Sequence, residues 1–303
     1  MFIVDELKEK EQRFLDLKNA VNSTSARISL DEGGSIEGLK FDNEYVIKLQ
    51  PNFKYKDSYA SSILFPFANR IEKGQYSFKE KDYQLACNES GKNALHGLVH
   101  NKQFQLIEKV ENINFSSVTI CFEEIEEREG FPFNYKIYIT YILSKNKIKI
   151  AVKIENTGTN SFPFTLGWHP YFVSKDLYHS SLSFKSNKKI EFDKNLITIG
   201  IIKASAEELK IKIQNKQLDD CFILNSNTIK FTTPTYQIQI ATDQIENYLQ
   251  IYTPKNSSII AIEPMTGISN SFNNKIGLQT LEPHNKYELK WTVNFSKIKA
   301  KNE

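Results

Sequence analysis

The chain has 303 residues, of which 40% are hydrophobic and 12% aromatic, and its 39 basic residues nearly balance 36 acidic ones to give a formal net charge of +3. This length holds one large all-β domain or two average domains, and the apolar content is sufficient for an extensive core. The basic residues are mostly lysine, whereas nucleic-acid binding favours clustered arginine. These properties indicate a globular protein with a lysine-rich surface and argue against a nucleic-acid partner.

Cysteine usage and the first residues of the chain bear on its compartment. Cys87, Cys121 and Cys221 form no CxxC pair and are odd in number, which favours a reducing compartment over a disulfide framework or a thiolate zinc site. Asp5 and Glu6 precede any apolar region of the kind found in signal peptides. No uninterrupted apolar run approaches the length of a membrane span. We therefore predict a cytoplasmic protein without a membrane partner.

The N-terminal segment gives an ambiguous pattern. Residues 5–17 are rich in Glu, Lys and Leu, which favours a helix, but residues 14–17 fit the start of a strand equally well. A second, short helix is predicted at residues 204–210, within a longer connection. Helical patterns are otherwise sparse in this chain.

Strand patterns dominate the rest of the sequence. Residues 135–143 alternate apolar and polar side chains, residues 144–147 have turn chemistry, and residues 148–154 alternate again, which predicts a β-hairpin. The apolar run at residues 162–168 predicts another strand. Further predicted strands, separated by turn residues, lie at 117–122, 236–242, 248–252, 259–262 and 287–295.

These strands follow one another without a Pro/Gly/Ser-rich linker, a low-complexity tract or an internal repeat. A sheet with one face in water needs a second layer to cover its other face. We therefore predict an all-β fold in which a single large antiparallel β-sandwich domain spans residues 1–303.

Two polar motifs stand among apolar residues in the first hundred positions. The sequence FANRI contains Asn69 and Arg70, and arginine is scarce in this chain. A guanidinium can fork onto hydroxyls or a carboxylate with a geometry that lysine cannot match. The sequence NALHG contains His96, and the following Gly97 allows a tight turn or a close approach of another group. The alternatives are a structural salt bridge for Arg70 and an ordinary turn for His96.

The motif GWHPYF, residues 167–172, places His169 at the end of an apolar run. Its neighbours in sequence are Trp168 and Pro170, and the proline restricts the local backbone. Histidine is the side chain that exchanges a proton near neutral pH with the least tuning. His169 is therefore a candidate acid or base, and the alternative is a core histidine whose ring nitrogens bond to backbone.

Two acidic positions adjoin apolar runs. Glu263 follows a continuous apolar strand and precedes Pro264, although acids are rarely fully buried unless they are paired. Partial burial raises a carboxyl pKa towards the value that a general base needs. The alternative for Glu263 is a buried ion pair with Arg70. Asp219 and Asp220 enter another apolar run, where they can accept hydrogen bonds or end a turn.

Together and in this order, the motifs resemble those of the aldose 1-epimerase (galactose mutarotase) family. The resemblance covers most of the chain, and its matching segments are EGGSI at 32–36, NRI at 69–71, ALHG at 94–97, GWHPYF at 167–172, LD at 218–219 and IEP at 262–264. Members are β-supersandwiches that use no metal or organic cofactor, and they interconvert the α and β anomers of free aldoses. The resemblance therefore implies a galactose mutarotase-like supersandwich and a sugar substrate.

The resemblance also implies a role for each matching residue. Glu263 would remove the proton of the C1 hydroxyl and His169 would protonate the ring oxygen, with the roles exchanged when the ring closes. His96 would form a hydrogen bond near the ring oxygen. The residues expected to hold or contact the sugar are Asn69, Arg70, Asp219 and Trp168.

Three alternatives remain open at this point. A hexose-6-phosphate 1-epimerase of the same superfamily would need further cationic groups for the phosphate, for which Lys73 is a candidate. A two-His-one-carboxylate metal site could be drawn from His96, His169 and Glu263, although no short-range ligand pair supports it. A non-catalytic carbohydrate-binding protein is the third, because a sandwich fold by itself implies no function. The expected oligomeric state is a monomer or a homodimer.

Overall fold

The computed structural model describes residues 1–50, 53–244 and 246–298. Its strands in the first half of the chain are β1 (Phe2–Glu9), β2 (Gln12–Asn19), β3 (Ser25–Ser29), β4 (Ile36–Phe41), β5 (Glu44–Lys48), β6 (Ile63–Leu64), β7 (Arg70–Glu72), β8 (Gln75–Phe78), β9 (Lys81–Gln84), β10 (Asn93–Leu95), β11 (Gln105–Glu111), β12 (Phe115–Glu124), β13 (Tyr135–Ser144) and β14 (Lys147–Asn156).

The second half contains a further set of strands, which are β15 (Phe162–Phe164), β16 (Gly167–Trp168), β17 (Tyr171–Val173), β18 (Ser181–Lys185), β19 (Lys188–Phe192), β20 (Thr198–Lys203), β21 (Glu208–Lys212), β22 (Asp219–Ile223), β23 (Thr228–Thr232), β24 (Tyr236–Thr242), β25 (Tyr248–Tyr252), β26 (Ile259–Met265), β27 (Gln279–Leu281) and β28 (Lys286–Lys297). Two single-turn helices, α1 (Tyr55–Ser58) and α2 (Ser271–Asn274), complete the regular structure of the described residues.

Two large antiparallel sheets form the body of the protein. One has nine strands in the order β11-β12-β13-β14-β28-β24-β23-β18-β21, and the other has eight, in the order β20-β19-β22-β25-β26-β16-β6 with β17 also paired to β26. A third sheet holds β1 to β5 in sequence order, and it contacts the nine-stranded sheet through β12 and the eight-stranded sheet through β17. This architecture confirms the predicted all-β antiparallel sandwich.

The core lies between the two large sheets. Trp168 of the eight-stranded sheet stacks on Trp291 of the nine-stranded sheet with ring centroids 6.3 Å apart, and Phe172 and Phe231 meet across the same interface at 6.4 Å. Strand β13 buries every second residue, because its other face points away from this interface. The largest apolar cluster draws residues from both large sheets and from the β1–β5 sheet. This supports a single domain over residues 1–303, and that extent stays a prediction.

The predicted hairpin at 135–154 is confirmed, with β13 and β14 paired along their full length, and the strands predicted at 117–122, 236–242, 248–252, 259–262 and 287–295 are all present. For residues 5–17 the strand alternative is correct, because β1 and β2 form a hairpin there. The predicted helix at 204–210 is wrong. Strand β21 occupies its second half and pairs with β18, which buries Leu209.

The single strand predicted at residues 162–168 is wrong in its continuity. It is split into β15, which pairs with β27, and β16, which pairs with β6 and β26. The break falls at Thr165, whose backbone N–H donates to the Pro66 carbonyl at 2.8 Å and whose hydroxyl accepts from the Ala68 N–H at 2.9 Å. In the described part of the chain no helix is long and apolar enough to cross a membrane.

Candidate active site

The pairing of strands brings His169 and Glu263 together. Glu263 lies within β26, and both β16 and β17 pair with that strand, with Gly167 opposite Met265 and Tyr171 opposite Ala261. The same register, continued through the two residues between β16 and β17, sets position 169 opposite position 263. His169 Nε2 lies 3.5 Å from Glu263 Oε1. Sheet register therefore explains why two residues so far apart in sequence meet.

Both the backbone and the ring of His169 are fixed by contacts. Its backbone N–H donates to the Ser62 carbonyl at 3.0 Å, and its own carbonyl accepts from the Ser61 N–H at 2.7 Å. The ring stacks on Tyr171 with centroids 4.9 Å apart and an interplanar angle of 20°. His96 meets it edge-on, with ring centroids at 4.8 Å. These contacts preorganise the imidazole beside Glu263.

His96 lies in a turn with unusual backbone geometry. Its φ is +61°, and Asn69, whose carbonyl accepts from the His96 N–H at 2.9 Å, has φ +59°. Left-handed backbone is uncommon for residues other than glycine and concentrates at functional sites. Both residues line one pocket. Gly97 follows with φ +73°, and the Leu98 N–H then donates to the Phe65 carbonyl at 2.7 Å.

Gly97→Ala is expected to destabilise the protein by about 2 kcal/mol or more, because a left-handed alanine is strained and its Cβ would lie 2.3 Å from the Phe65 carbonyl oxygen. Urea unfolding measures this as a lower midpoint at unchanged slope. Gly91→Ala is the matched control, since Gly91 has φ +72° but open space around its Cβ position. Equal losses of stability in the two variants would contradict the role assigned to the crowding at Gly97.

A hydrogen-bonded chain of polar side chains crosses the site. Glu89 binds both Nε and Nη2 of Arg70, at 2.9 and 2.6 Å, and Arg70 Nη1 donates to Asn69 Oδ1 at 3.1 Å. Asn69 Nδ2 in turn donates to Gln250 Oε1 at 3.3 Å, and Gln250 Nε2 donates to Asp219 Oδ1 at 2.7 Å. The sequence alternative of an Arg70–Glu263 ion pair is therefore wrong, because Glu89 occupies the guanidinium.

All members of this hydrogen-bonded chain except Glu89 line a pocket of about 320 Å³. It brings together six of the seven residues named from the sequence, which are Asn69, Arg70, His96, His169, Asp219 and Glu263. Among the lining residues that the sequence analysis did not assign to the site are Tyr59, Gln250 and Tyr252. Gln250 carried a usable signal, since it is a polar residue inside a short apolar strand; Tyr59 and Tyr252 carried none.

The prediction that Trp168 contacts a sugar is corrected. Trp168 is fully buried, and it packs against Phe172 and Trp291 between the two large sheets rather than lining the pocket. The physical reason is the alternation of side chains along a strand, which directs Trp168 to one face and its neighbour His169 to the other. Tyr171 lines the pocket instead.

Burial shifts the titration of the three central groups. Glu263 is only 2% exposed, so burial raises its pKa well above the ordinary value, and the nearby Asp219 charge raises it further. Burial lowers the pKa of His169 to about 3. Burial, followed by the His169 and Arg70 charges, lowers the pKa of His96 well below its ordinary value. Each shift favours an uncharged group, and the uncharged Glu263–His169 pair has one titratable proton shared between its two members.

Several buried polar atoms of the site lack a hydrogen-bond partner. Within the described residues, Nδ1 of His96, Nδ1 of His169 and Oε2 of Glu263 are buried without a hydrogen-bond partner. Buried polar groups are normally paired, so such a cluster indicates a site that a polar ligand completes. No group of three His, Cys, Asp or Glu side chains in the described ranges is arranged to hold a metal ion. The arrangement therefore gives no support to the two-His-one-carboxylate alternative.

Known proteins resemble this chain in sequence and in fold. The family model described as aldose 1-epimerase matches residues 13–294. Uncharacterized protein YihR of Escherichia coli is 26% identical over 78% of this chain and 79% of its own length. Galactose mutarotase of Sus scrofa is 26% identical over 48% of this chain, and the match spans 43% of that mutarotase, less than half of its length.

Solved structures extend the likeness to nearly the whole fold. A galactose mutarotase-like protein from Clostridium acetobutylicum superposes with a TM-score of 0.87 at 19% identity, covering 98% of this chain and 99% of that one. Galactose 1-epimerase from Lactobacillus acidophilus superposes with a TM-score of 0.82 at 15% identity, with coverage of 98% and 99%. Because the family model matches nearly the entire sequence, the chain belongs to the aldose 1-epimerase family.

Proposed function

We propose that the protein is an aldose 1-epimerase, an isomerase that interconverts the α and β anomers of a free aldohexose. The observation that carries the proposal is the opposed Glu263–His169 pair, with Oε1 and Nε2 3.5 Å apart at a pocket. Opening a hemiacetal ring requires a base at the C1 hydroxyl and an acid at the ring oxygen. A carboxylate and an imidazole side by side supply both groups.

Ring opening starts with the shared proton on His169. The Glu263 carboxylate accepts the proton of the C1 hydroxyl, His169 donates its proton to the ring oxygen, and the bond between C1 and the ring oxygen breaks. The C1 aldehyde then rotates about the C1–C2 bond. On closure Glu263 returns its proton to the carbonyl oxygen while His169 takes back the proton of the C5 hydroxyl. The cycle balances without exchanging a proton with solvent.

The electrostatics of the site suit this exchange. Burial favours the neutral forms of Glu263 and His169, which is the state that accompanies the open-chain sugar. The ionised state accompanies the closed ring, whose hydroxyls can bond to both charges. His96 is neutral because its pKa is lowered, so it can donate a hydrogen bond to the ring oxygen without adding charge.

The substrate class follows from the size and lining of the pocket. A volume of about 320 Å³ is at the lower end of small-molecule sites, which suits a monosaccharide. Asn69, Arg70 and Asp219 supply an amide, a guanidinium and a carboxylate for sugar hydroxyls. A cytoplasmic location and a monomeric or homodimeric state remain predictions from the sequence.

A polarimetric screen of free and phosphorylated aldoses tests the proposal. The protein is expected to accelerate the change in optical rotation of freshly dissolved α-D-glucose or α-D-galactose, and to do so equally in the presence of a chelator. If the protein accelerates anomer interconversion only for glucose 6-phosphate, the result would favour the hexose-6-phosphate epimerase. Sugar binding without acceleration of any anomerisation would favour the non-catalytic carbohydrate-binding protein.

A further inference from the structure

Glu89 lies outside the pocket lining, on the connection between β9 and β10. Its carboxylate accepts hydrogen bonds from two nitrogens of the Arg70 guanidinium. Arg70 Nε donates to Oε1 and Oε2 at 2.9 and 3.0 Å, and Nη2 donates to Oε1 at 2.6 Å. Asn93 Nδ2 fixes the carboxylate from the other side by donating to Oε2 at 3.0 Å. Arg70 lines the pocket, whereas Glu89 does not. Glu89 therefore acts on the pocket through Arg70.

The ion pair with Glu89 determines which guanidinium hydrogens of Arg70 remain available to a ligand. A guanidinium has five N–H hydrogens in a rigid plane. Glu89 takes one on Nε and one on Nη2, and Asn69 takes one on Nη1. One hydrogen on each of Nη1 and Nη2 is left by these bonds and can be donated to a ligand oxygen. A bidentate contact of charged groups is among the stronger ones in proteins, so Arg70 is held in one orientation.

Glu89 also offsets the charge of Arg70. Partial burial raises the Glu89 pKa, but hydrogen bonds from Arg70 and Asn93 outweigh that effect and lower the pKa below its ordinary value, so Glu89 is an anion. Of the lining residues that the structure describes, only Arg70 is a lysine or arginine, whereas Asp57, Asp219 and Glu263 are acidic. With Arg70 already paired, an anionic ligand would meet the acidic Asp57 and Asp219 side chains without a free lysine or arginine among the described lining residues.

We propose that Glu89 is a positioning and specificity-determining residue, which holds Arg70 for a sugar hydroxyl and restricts the pocket to uncharged aldoses. The inference rests on the proposed function, since it concerns the substrates of the same site. Like charges brought together in a binding site oppose binding, whereas a guanidinium without its partner attracts an anion. Loss of the Glu89 charge is thus expected to weaken selection against anionic sugars.

The test compares D-galactose with D-galacturonate, which differ by a carboxylate at C6. In Glu89→Gln we expect kcat/KM for D-galactose to fall about 10-fold, chiefly through KM, because Arg70 loses its charge-assisted fork. The value for D-galacturonate is expected to hold or rise, so the ratio of the two falls about 10-fold or more. The matched control is Asp31→Asn, which removes the carboxylate bound to Nε and Nη2 of Arg13 outside the pocket, and which is expected to keep the wild-type ratio.

A pH profile separates positioning from a purely structural role. The Arg70 charge lowers the pKa of Glu263, and Glu89 offsets that charge. Removing the Glu89 charge therefore lowers the pKa of Glu263, and the pH above which activity declines is expected to move to lower pH. In Glu89→Asp, which keeps the charge on a shorter side chain, the selectivity is expected to stay within about threefold of wild type.

An equal loss of activity towards both sugars in Glu89→Gln, with an unshifted pH profile, would overturn this inference and leave the proposed function intact. If the wild-type protein accelerates anomer interconversion of neither sugar, the proposed function would be overturned instead. If Glu89→Gln does not fold, the same comparison of the two sugars in Glu89→Asp tests the inference. A Glu89→Asp protein with a lower kcat/KM for D-galactose that still discriminates against D-galacturonate supports the inference. A Glu89→Asp protein that loses this discrimination, although its carboxylate charge is present, overturns it.

Discussion

Glu263→Gln is expected to lower kcat for anomer interconversion by about 10²–10⁴-fold, the usual contribution of a positioned general base. The amide preserves the shape of the side chain but cannot accept the C1 hydroxyl proton and later return it. Because the site also has hydrogen-bonding groups at Asn69, Arg70 and Asp219, sugar affinity is expected to change far less than kcat. Polarimetry of a freshly dissolved α-aldose measures the rate, and calorimetric titration measures the affinity.

Glu155→Gln is the matched control for this variant. Glu155 lies in β14 on the nine-stranded sheet, where it pairs with Lys153 and Lys286 outside the pocket, so its loss is expected to leave the rate unchanged. A Glu263→Gln protein that interconverts anomers at the wild-type rate would refute the assignment of Glu263 as the base.

His169→Asn is expected to reduce kcat by a comparable factor of about 10²–10⁴, since the ring oxygen would then leave C1 without a proton donor. The loss arises from chemistry rather than from binding, because His169 is buried beside Glu263 whereas most hydroxyl-binding groups lie elsewhere around the pocket. His179→Asn is the control, as His179 is an exposed histidine paired with Asp176 outside the pocket. Full activity in His169→Asn would assign the acid role to another group.

The pH dependence of the wild-type enzyme gives an independent reading of the same pair. The pair works with one proton, and it takes up a second only when His169 also becomes protonated, which its pKa of about 3 places in strongly acidic solution. Activity is therefore expected to persist as the pH falls from about 7 to about 5, through the range in which an ordinary histidine titrates. At the alkaline end, activity declines once Glu263 loses the shared proton, above the ordinary glutamate pKa because burial raises it. A decline centred near pH 6.5 on the acid side would contradict this assignment.

Period-two patterning was the most informative part of the sequence for the fold. It located the β13–β14 hairpin, β24 and β28, because each of these strands buries alternate residues along most of its length. Local propensity misled at residues 204–210, where pairing of β21 with β18 outweighs the preference of Glu, Leu and Lys for helix. Strand boundaries near residue 165 depended on tertiary hydrogen bonds of Thr165, which leave no local pattern.

The candidate site was accessible from the sequence to a similar extent. Glu263 and His169 were found because a titratable residue beside an apolar run is unusual, and the sheet register then places them opposite each other. Trp168 was misplaced because neighbouring residues in one motif point to opposite faces of a strand. Glu89 was missed because an acidic residue in a polar loop has no distinguishing surroundings until the fold brings Arg70 to it.

The most direct test of the account is exchange NMR of D-galactose labelled with ¹³C at C1, recorded at anomeric equilibrium with wild-type protein and with Glu263→Gln. Wild-type protein is predicted to produce exchange cross-peaks between the α and β C1 signals, at a rate that rises in proportion to protein concentration. The Glu263→Gln protein is predicted to show only the exchange seen in buffer. Equal exchange in the two samples, or none beyond buffer in either with any aldohexose, would contradict the proposal that the Glu263–His169 pair interconverts anomers.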